Sequence, residues 1–252
     1  MASICVAVIT RNEEKNIAEC LAGAAWADEI LVLDSLSTDG TVELARRQGA
    51  RVFQRAFTNF AEQRNAALCL ARSDWVLFVD ADERISPALA EEIRQQVEAT
   101  EQDQNLVCGF WVPRENHIWG KVIRHAGWYP DYQLRLLRRG RASYDPAREV
   151  HELVRLEGEG KYLSEPLIHY NYHSIRQFAT KQKLYSAIQA RSMLQAGIRP
   201  KPHNYVLQPL REFWRRYVRL RGWQDGWRGL LLAVLMGYYT LDTYLTLRRL
   251  TR

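Results

Sequence analysis

The chain of 252 residues is 47% hydrophobic and 25% charged, the composition of a globular protein with a real core rather than of a disordered or fibrous one. Its four cysteines, Cys5, Cys20, Cys69 and Cys108, are scattered, with no C-x-x-C and no histidine at zinc spacing, so they read as reduced core thiols in a cytosolic compartment. The net charge of +6 is uneven: residues 201–252 carry ten Lys/Arg against three Asp/Glu, and residues 1–200 balance at −1. A near-neutral body joined to a basic tail predicts an anionic partner for the tail, nucleic acid or a membrane surface.

Residues 4–9 (ICVAVI) form an apolar run that reads as a buried strand. It is too short for a signal peptide, and Arg11 follows it directly. A helix over about 15–25 puts Ile17, Cys20, Leu21 and Ala24 on one face. Residues 30–33 make a second strand, which runs into a loop dense in turn formers, Asp34 to Thr41. A helix over 42–48, ended by Gly49, a short strand at 51–53 and a helix over 59–71 follow.

The stretch Asp74-Trp75-Val76-Leu77-Phe78-Val79-Asp80-Ala81-Asp82-Glu83 is the centre of the pattern. A strand buried on both faces ends in three carboxylates within four positions. In open α/β sheets, ligands bind beyond the carboxyl ends of the strands. Clustered carboxylates repel one another and resist burial. A divalent cation, Mg²⁺ or Mn²⁺, shared by Asp80 and Asp82 relieves both costs and leaves positions for substrate phosphates. The competing reading is an acidic strand-to-helix turn. Ser86-Pro87 then opens a helix to about residue 99. The alternation is βαβαβ and predicts a parallel sheet. Neither G-x-G-x-x-G nor G-x-x-x-x-G-K-[ST] is present, which weighs against dinucleotide and P-loop chemistry.

From about 104 to 174 the texture changes to strands at 107–112 and 133–137 among Trp, Tyr, His and Arg. Trp111, Trp119, Trp128, Tyr129, Tyr132 and Tyr144 fall within 34 residues, a surface suited to stacking sugar rings or a satellite core. An amphipathic helix covers 174–197. Arg199-Pro200-Lys201-Pro202 is a stiff breaker. Beyond it, residues 206–221 are basic and aromatic, and residues 229–247 are almost uncharged. Twelve residues, 230–241, carry no charge before Asp242. That is short of the ~20 a spanning helix needs, so the segment 206–252 is expected to lie on an anionic membrane surface, or to pack as a core or dimer helix.

Three strand-end segments, Ile9-Thr10-Arg11-Asn12-Glu13-Glu14, Leu33-Asp34-Ser35-Leu36-Ser37-Thr38-Asp39-Gly40-Thr41 and Val79-Asp80-Ala81-Asp82-Glu83, together resemble the family 2 glycosyltransferases of the nucleotide-diphospho-sugar (GT-A) fold. Gln63-Arg64-Asn65, Gly127-Trp128-Tyr129-Pro130-Asp131, Arg135-Leu136-Leu137, Val150-His151-Glu152 and His169-Tyr170 extend the resemblance to the lipopolysaccharide core β-glucosyltransferase branch (WaaE/KdtX). It covers about residues 3–185 and leaves the tail out.

The resemblance implies an α/β fold of Rossmann-like type: a mixed, mainly parallel sheet flanked by helices, with a C-terminal helical, basic, amphipathic extension. Residues 1–198 would be the catalytic domain, with 1–103 its nucleotide-sugar half and 104–198 its acceptor and catalytic half, and 199–252 the tail. Thr10, Arg11 and Glu13 would line the base pocket, Asp34 would hold base or ribose, and Arg64 would reach the nucleotide or its phosphates. Asp82 would ligate the metal directly, with Asp80 nearer the ribose and His169 completing coordination. Glu152 is the implied catalytic base, beside His151. Glu149 is the fallback base, and Arg148 and Arg155 offer Glu152 a purely structural pairing. Trp128, Asp131 and Arg135 would meet the acceptor. Two departures stand out: Leu36 replaces a glycine usual in that loop, which predicts an altered backbone there, and Arg11 replaces an aromatic residue.

The implied reaction moves a hexose, glucose in that branch, from a UDP-sugar to a hydroxyl of a lipid-linked or lipopolysaccharide-core glycan with inversion and a divalent metal. The enzyme would be cytoplasmic, peripheral on the cytoplasmic face of the inner membrane, without a nucleic-acid partner, as a monomer or with a second copy. A nucleotidyltransferase of similar fold, a glycoside hydrolase with paired carboxylates, and a non-enzymatic binder of anionic polymers or membranes are the rival classes. Heat stabilisation by a nucleoside diphosphate separates the glycosyltransferase from the hydrolase, and salt-dependent RNA binding marks the last.

Overall fold

The computed structural model describes residues 1–102, 106–146 and 154–251. The chain forms two compact units, Met1–Arg114 with Tyr132–His169, and Glu115–Asp131 with Tyr170–Arg252. The boundary expected at 198 falls inside the second unit.

The first unit opens with the alternation the sequence predicts: β1 (Ile4–Thr10), α1 (Ile17–Ala22), β2 (Glu29–Asp34), α2 (Thr41–Arg47), β3 (Arg51–Gln54), α3 (Phe60–Leu70) and β4 (Trp75–Asp80). Then come β5 (Glu83–Arg84), α4 (Pro87–Gln102), β6 (Val107–Ile118), β7 (Lys121–Val122), β8 (Asp131–Arg138), β9 (Ala142–Tyr144), β10 (Val154–Leu156), β11 (Glu159–Tyr162) and β12 (Leu167–Tyr172). Strands β6, β8 and β12 run across the boundary between units along the chain, and β7 belongs to the second unit.

The main sheet has the order β3-β2-β1-β4-β8-β6-β12-β5. Strands β3, β2, β1 and β4 are mutually parallel, while β8 is antiparallel to β4 and β5 to β12. Side-chain alternation explains the layering. Ile4, Val6, Val8, Trp75, Leu77 and Val79 face one core, which α1, α2 and α4 complete with Ile17, Leu21, Ala45, Leu89 and Ile93. Cys5, Ala7, Leu31, Leu33, Val76 and Phe78 face the other, closed by Ala61, Ala67 and Leu68 of α3 and by Tyr144. Both faces are covered, which is why these strands read as continuous apolar runs. Each fully buried Leu, Ile or Phe contributes about 1.5–3 kcal/mol. Caps fix the helix starts: Asn59 accepts from the Glu62 amide at 2.8 Å, and Ser86 from the Leu89 amide at 3.1 Å.

In the second unit, the end of β6 and β7 make a hairpin with His117 opposite Val122 and Ile118 opposite Lys121. Its two turn residues, Trp119 (φ 52°) and Gly120 (φ 73°), are both left-handed, as a two-residue type I′ turn requires. Phe178 of α5 (Ile175–Gln195) is fully buried against Trp119, Trp128, Tyr172 and Tyr239. The tail forms α6 (Asn204–Trp214), a π turn (Arg215–Arg219), a 3₁₀ turn (Gly222–Asp225) and α7 (Gly226–Leu250). It is therefore not a free extension: α7 packs on α5 and α6, burying Gly229, Leu232, Ala233, Gly237, Thr243 and Leu247.

Glycine lets the backbones touch there. A Cβ on Gly229 would lie 1.8 Å from the Gly222 carbonyl oxygen. Gly229→Ala is therefore expected to cost at least the 1–3 kcal/mol typical of overpacking, read as a lower denaturation midpoint. An unchanged midpoint would mean that the start of α7 shifts freely.

Candidate active site

Strand order places the site. The chain leaves β1 to one side through β2 and β3, then returns to add β4 on the other, so a topological switch point lies between β1 and β4. Register brings the strand ends level: Thr10 pairs with Asp34 and Ile9 with Asp80. The three expected segments therefore converge at one edge of the sheet.

The first two are laced together. The Asn12 amide donates to Ser37 Oγ at 2.8 Å, the Thr38 amide to Asn12 Oδ1 at 2.9 Å, and the Glu13 amide to Thr41 Oγ1 at 2.8 Å. Asp34 is fully buried and spends its carboxylate on the Ser37 amide (2.9 Å), the Ser37 hydroxyl and Gln54 Nε2 (3.0 Å). In this structure it shapes the loop. Thr10 is buried with no partner for its hydroxyl among the described residues, while Arg11 is exposed. Leu36 takes φ 59°, the left-handed region where glycine is at ease, so the loop keeps a glycine-like backbone despite the side chain.

Gln63-Arg64-Asn65 acts as a bracket. Gln63 Nε2 donates to Ser35 Oγ (3.0 Å) and to the Arg55 carbonyl (3.2 Å). Asn65 exchanges two 2.8 Å bonds with the backbone of Tyr144. Between them Arg64 lies 5.5 Å from the rings of both Phe78 and Tyr144 and reaches Asp80 at 3.4 Å.

The carboxylate cluster divides in two. Asp80 receives both terminal nitrogens of Arg135, Nη1 at 3.2 Å and Nη2 closer still. Glu83, fully buried, accepts from Arg135 at 3.3 Å and from the Asp80 amide at 2.8 Å, with Arg114 at 3.6 Å. Burial opposes charge on Asp80, but Arg135 and Arg64 outweigh it and hold the carboxyl well below the usual range. Burial likewise opposes charge on Arg135, and Asp80 and Glu83 reverse that, raising its pKa. Arg135, expected at the acceptor, is only 4% exposed, so its guanidinium serves these carboxylates instead. Asp80, expected to share the metal, is engaged by arginines.

Asp82 stands apart, with His169 Nε2 3.6 Å from its Oδ2. The antiparallel bridge of β5 and β12, which sets His169 opposite Glu83, creates this meeting. Among the described residues no three His, Cys, Asp or Glu side chains cluster as a metal site. A carboxylate plus an imidazole nevertheless fits a divalent cation that takes its remaining ligands from water and a substrate diphosphate.

Trp128 and Asp131 fall in the second unit. Trp128 is half-buried against Tyr172 and Phe178, and Arg216 lies 5.6 Å over its ring, so its face is covered rather than open for stacking. Glu152, His151 and the fallback Glu149 lie outside the described residues. Sequence reasoning missed Arg114 and the buried role of Glu83. The signal available was three arginines on strand or helix positions with apolar neighbours, where a charge must have a partner.

A model of the family described as "Glycosyl transferase family 2" matches residues 5–151, more than half of the chain. Lipopolysaccharide core biosynthesis glycosyltransferase LpsC of Rhizobium meliloti is 28% identical over 94% of this chain and 88% of its own length. An uncharacterized glycosyltransferase of Rickettsia felis is 26% identical over 94% and 87%. Among solved structures, S. aureus TarS 1-349 in complex with UDP matches 98% of this chain and 90% of that one, at 19% identity and a TM-score of 0.49. With its strand ends and carboxylates arranged as above, the chain belongs to glycosyltransferase family 2 and has the GT-A fold.

Proposed function

We propose that the protein transfers a hexose, glucose by resemblance, from a UDP-sugar to a hydroxyl of a lipid-linked or lipopolysaccharide-core glycan, with inversion. The observation that carries this reading is the pairing of Asp82 with His169 beside an arginine-locked Asp80 at the carboxyl ends of parallel strands. The named relative LpsC supports a lipopolysaccharide-core acceptor, and the strand-end motifs support the uridine nucleotide.

Asp82 and His169 would hold a divalent cation, Mg²⁺ or Mn²⁺. When bound, it neutralises charge on the departing diphosphate. Arg64, fixed between Phe78 and Tyr144, lies beside Asp80 with its guanidinium toward the strand ends, where donor phosphates bind. The acceptor proton goes to a carboxylate as attack occurs, and Glu152 is the residue the motif assigns. The protein works on the cytoplasmic face of the inner membrane, which suits its free cysteines.

The docking surface is on the tail. Val206, Leu207, Leu210 and Trp214 of α6 are each more than half exposed, and so are Trp227 and Tyr238, in line with exposed Leu230 and Val234 along α7. The helical stretch Gly222–Leu250, which contains α7, is long and apolar enough to cross a membrane by length and composition. Its other face is buried by α5 and α6, and Asp242 within hydrocarbon would cost on the order of 3 kcal/mol. The segment therefore docks flat, with arginines at anionic headgroups at about 1 kcal/mol each.

Three outcomes follow. UDP binding measured by calorimetry is expected to strengthen with Mn²⁺, and Asp82→Ala is expected to remove that increment and abolish transfer; near-normal turnover of the variant in excess chelator would end the metal reading. Glu152→Gln is expected to keep donor binding while turnover falls about 10²–10⁴-fold, and normal turnover would shift the role to Glu149 or Asp131. In flotation assays the full chain is expected to rise with anionic liposomes at low salt, and Leu207→Glu/Leu210→Glu to stay behind; equal flotation would point away from α6, and a concentration-dependent dimer without flotation would make this face a contact between copies.

A further inference from the structure

Within the second unit, residues 117–128 are held in one shape by polar contacts unrelated to the carboxylate cluster. Asp225, with its side chain 8% exposed, accepts from the amides of Arg124 (3.2 Å) and His125 (2.9 Å) and lies 3.2 Å from His125 Nδ1. Arg216 Nη1 donates to the Ala126 carbonyl at 2.8 Å, and the Ala126 amide to the Leu220 carbonyl at 2.9 Å. Asn116 Nδ2 donates to the Trp128 carbonyl at 2.7 Å. Two non-glycine residues of this segment, Trp119 (φ 52°) and Ala126 (φ 55°), are left-handed. Such backbone is strained and persists only where its surroundings over-determine it.

This frame borders an open depression of about 450 Å³ lined by His117, Lys121, Arg124, His125, Gln224 and Asp225, among others. The nearby carboxylates are already committed. Asp225 points its charge at two amides and a ring nitrogen. Glu115 lies between His117 Nε2 (3.4 Å) and Arg124 Nη2 (3.0 Å). Lys121 has no ion pair among the described residues. An ammonium, a guanidinium fork with further N–H groups and two imidazoles, each with one ring nitrogen not facing these carboxylates, thus line one depression of ligand size.

We propose that this pocket binds a phosphate monoester, carried by a sugar or by a lipid headgroup. A dianion with three acceptor oxygens uses the several donors together, each through a charge-assisted bond. A neutral hydroxyl compound meets only part of that donor set. The volume leaves room for the group to which the phosphate is attached.

Binding here is measured without turnover and with the donor site filled by saturating UDP, so its failure and that of the transferase reading are distinguishable. The full chain is titrated with glucose 6-phosphate, glucose, and nanodiscs of phosphatidic acid or phosphatidylcholine, while histidine ring signals are followed by NMR. His117→Gln and His125→Gln assign the two signals. Both are expected to shift saturably with glucose 6-phosphate and not with glucose. Lys121→Ala/Arg124→Ala is expected to raise Kd at least tenfold with an unchanged melting temperature, since both side chains are exposed. Lys121→Glu, which leaves the Glu115 contact in place, should weaken binding as much. Shifts with phosphatidic acid but neither phosphatidylcholine nor glucose 6-phosphate assign the phosphate to a lipid headgroup and equally support the pocket. No saturable shift with either phosphate, or an unchanged Kd in both lysine variants, overturns it.

Discussion

A buried arginine holds the catalytic edge of the first unit in shape. Arg135 cannot shed its proton, so its burial is tolerable only because Asp80 and Glu83 surround it. The same contacts determine the turn between β4 and β5. Glu83 is drawn inward and clasps the Asp80 amide. Asp82, one residue earlier, keeps part of its exposure and meets His169. Removing one member of such a group strands the others, which is why breaking a buried pair typically costs about 3–5 kcal/mol even where forming it gains little. The cluster therefore matters for where it directs Asp82 more than for net stability.

Much of the first unit was legible in the sequence because its strands are covered on both sides. Continuous apolar runs at 4–9, 30–33 and 75–79 have few other stable arrangements, and the turn-forming loops after them pointed to the site edge. The charge of Asp80, Asp82 and Glu83 is compensated from far along the chain. Three close carboxylates do need compensation, and arginines from β6, β8 and α3 compensate two of them. Local sequence cannot reveal a partner some 55 positions away. Nor could it reveal β5, a strand of two residues that exists only through pairing with β12. Propensity has almost nothing to say about an element so short; the tertiary contact decides it.

The second unit was less legible for a different reason. An uncharged run such as 230–241 is compatible with a core, an interface or a membrane, and composition alone does not choose. The helix divides by face: glycine and small side chains lie against α5 and α6, while Trp227, Leu230, Val234 and Tyr238 remain exposed. Trp128 shows the same limit. Its place in an aromatic-rich stretch suggested a sugar platform, yet an arginine more than 80 positions later covers its ring.

The two units apply the same ion-pair chemistry in opposite directions. In the first, arginines are turned inward to neutralise Asp80 and Glu83, and the side chain left with exposure is the acid Asp82. In the second, Asp225 is turned inward onto backbone amides, and the side chains left exposed are Lys121 and Arg124. In the first, Glu83 clasps the Asp80 amide at the turn after β4, and in the second Asp225 holds the amides of Arg124 and His125 next to the left-handed Ala126. The sign of the charge that is buried decides the sign of the charge that is offered. An exposed acid at the sheet edge and exposed bases in the second unit can then coexist in one chain without either needing a large net local charge.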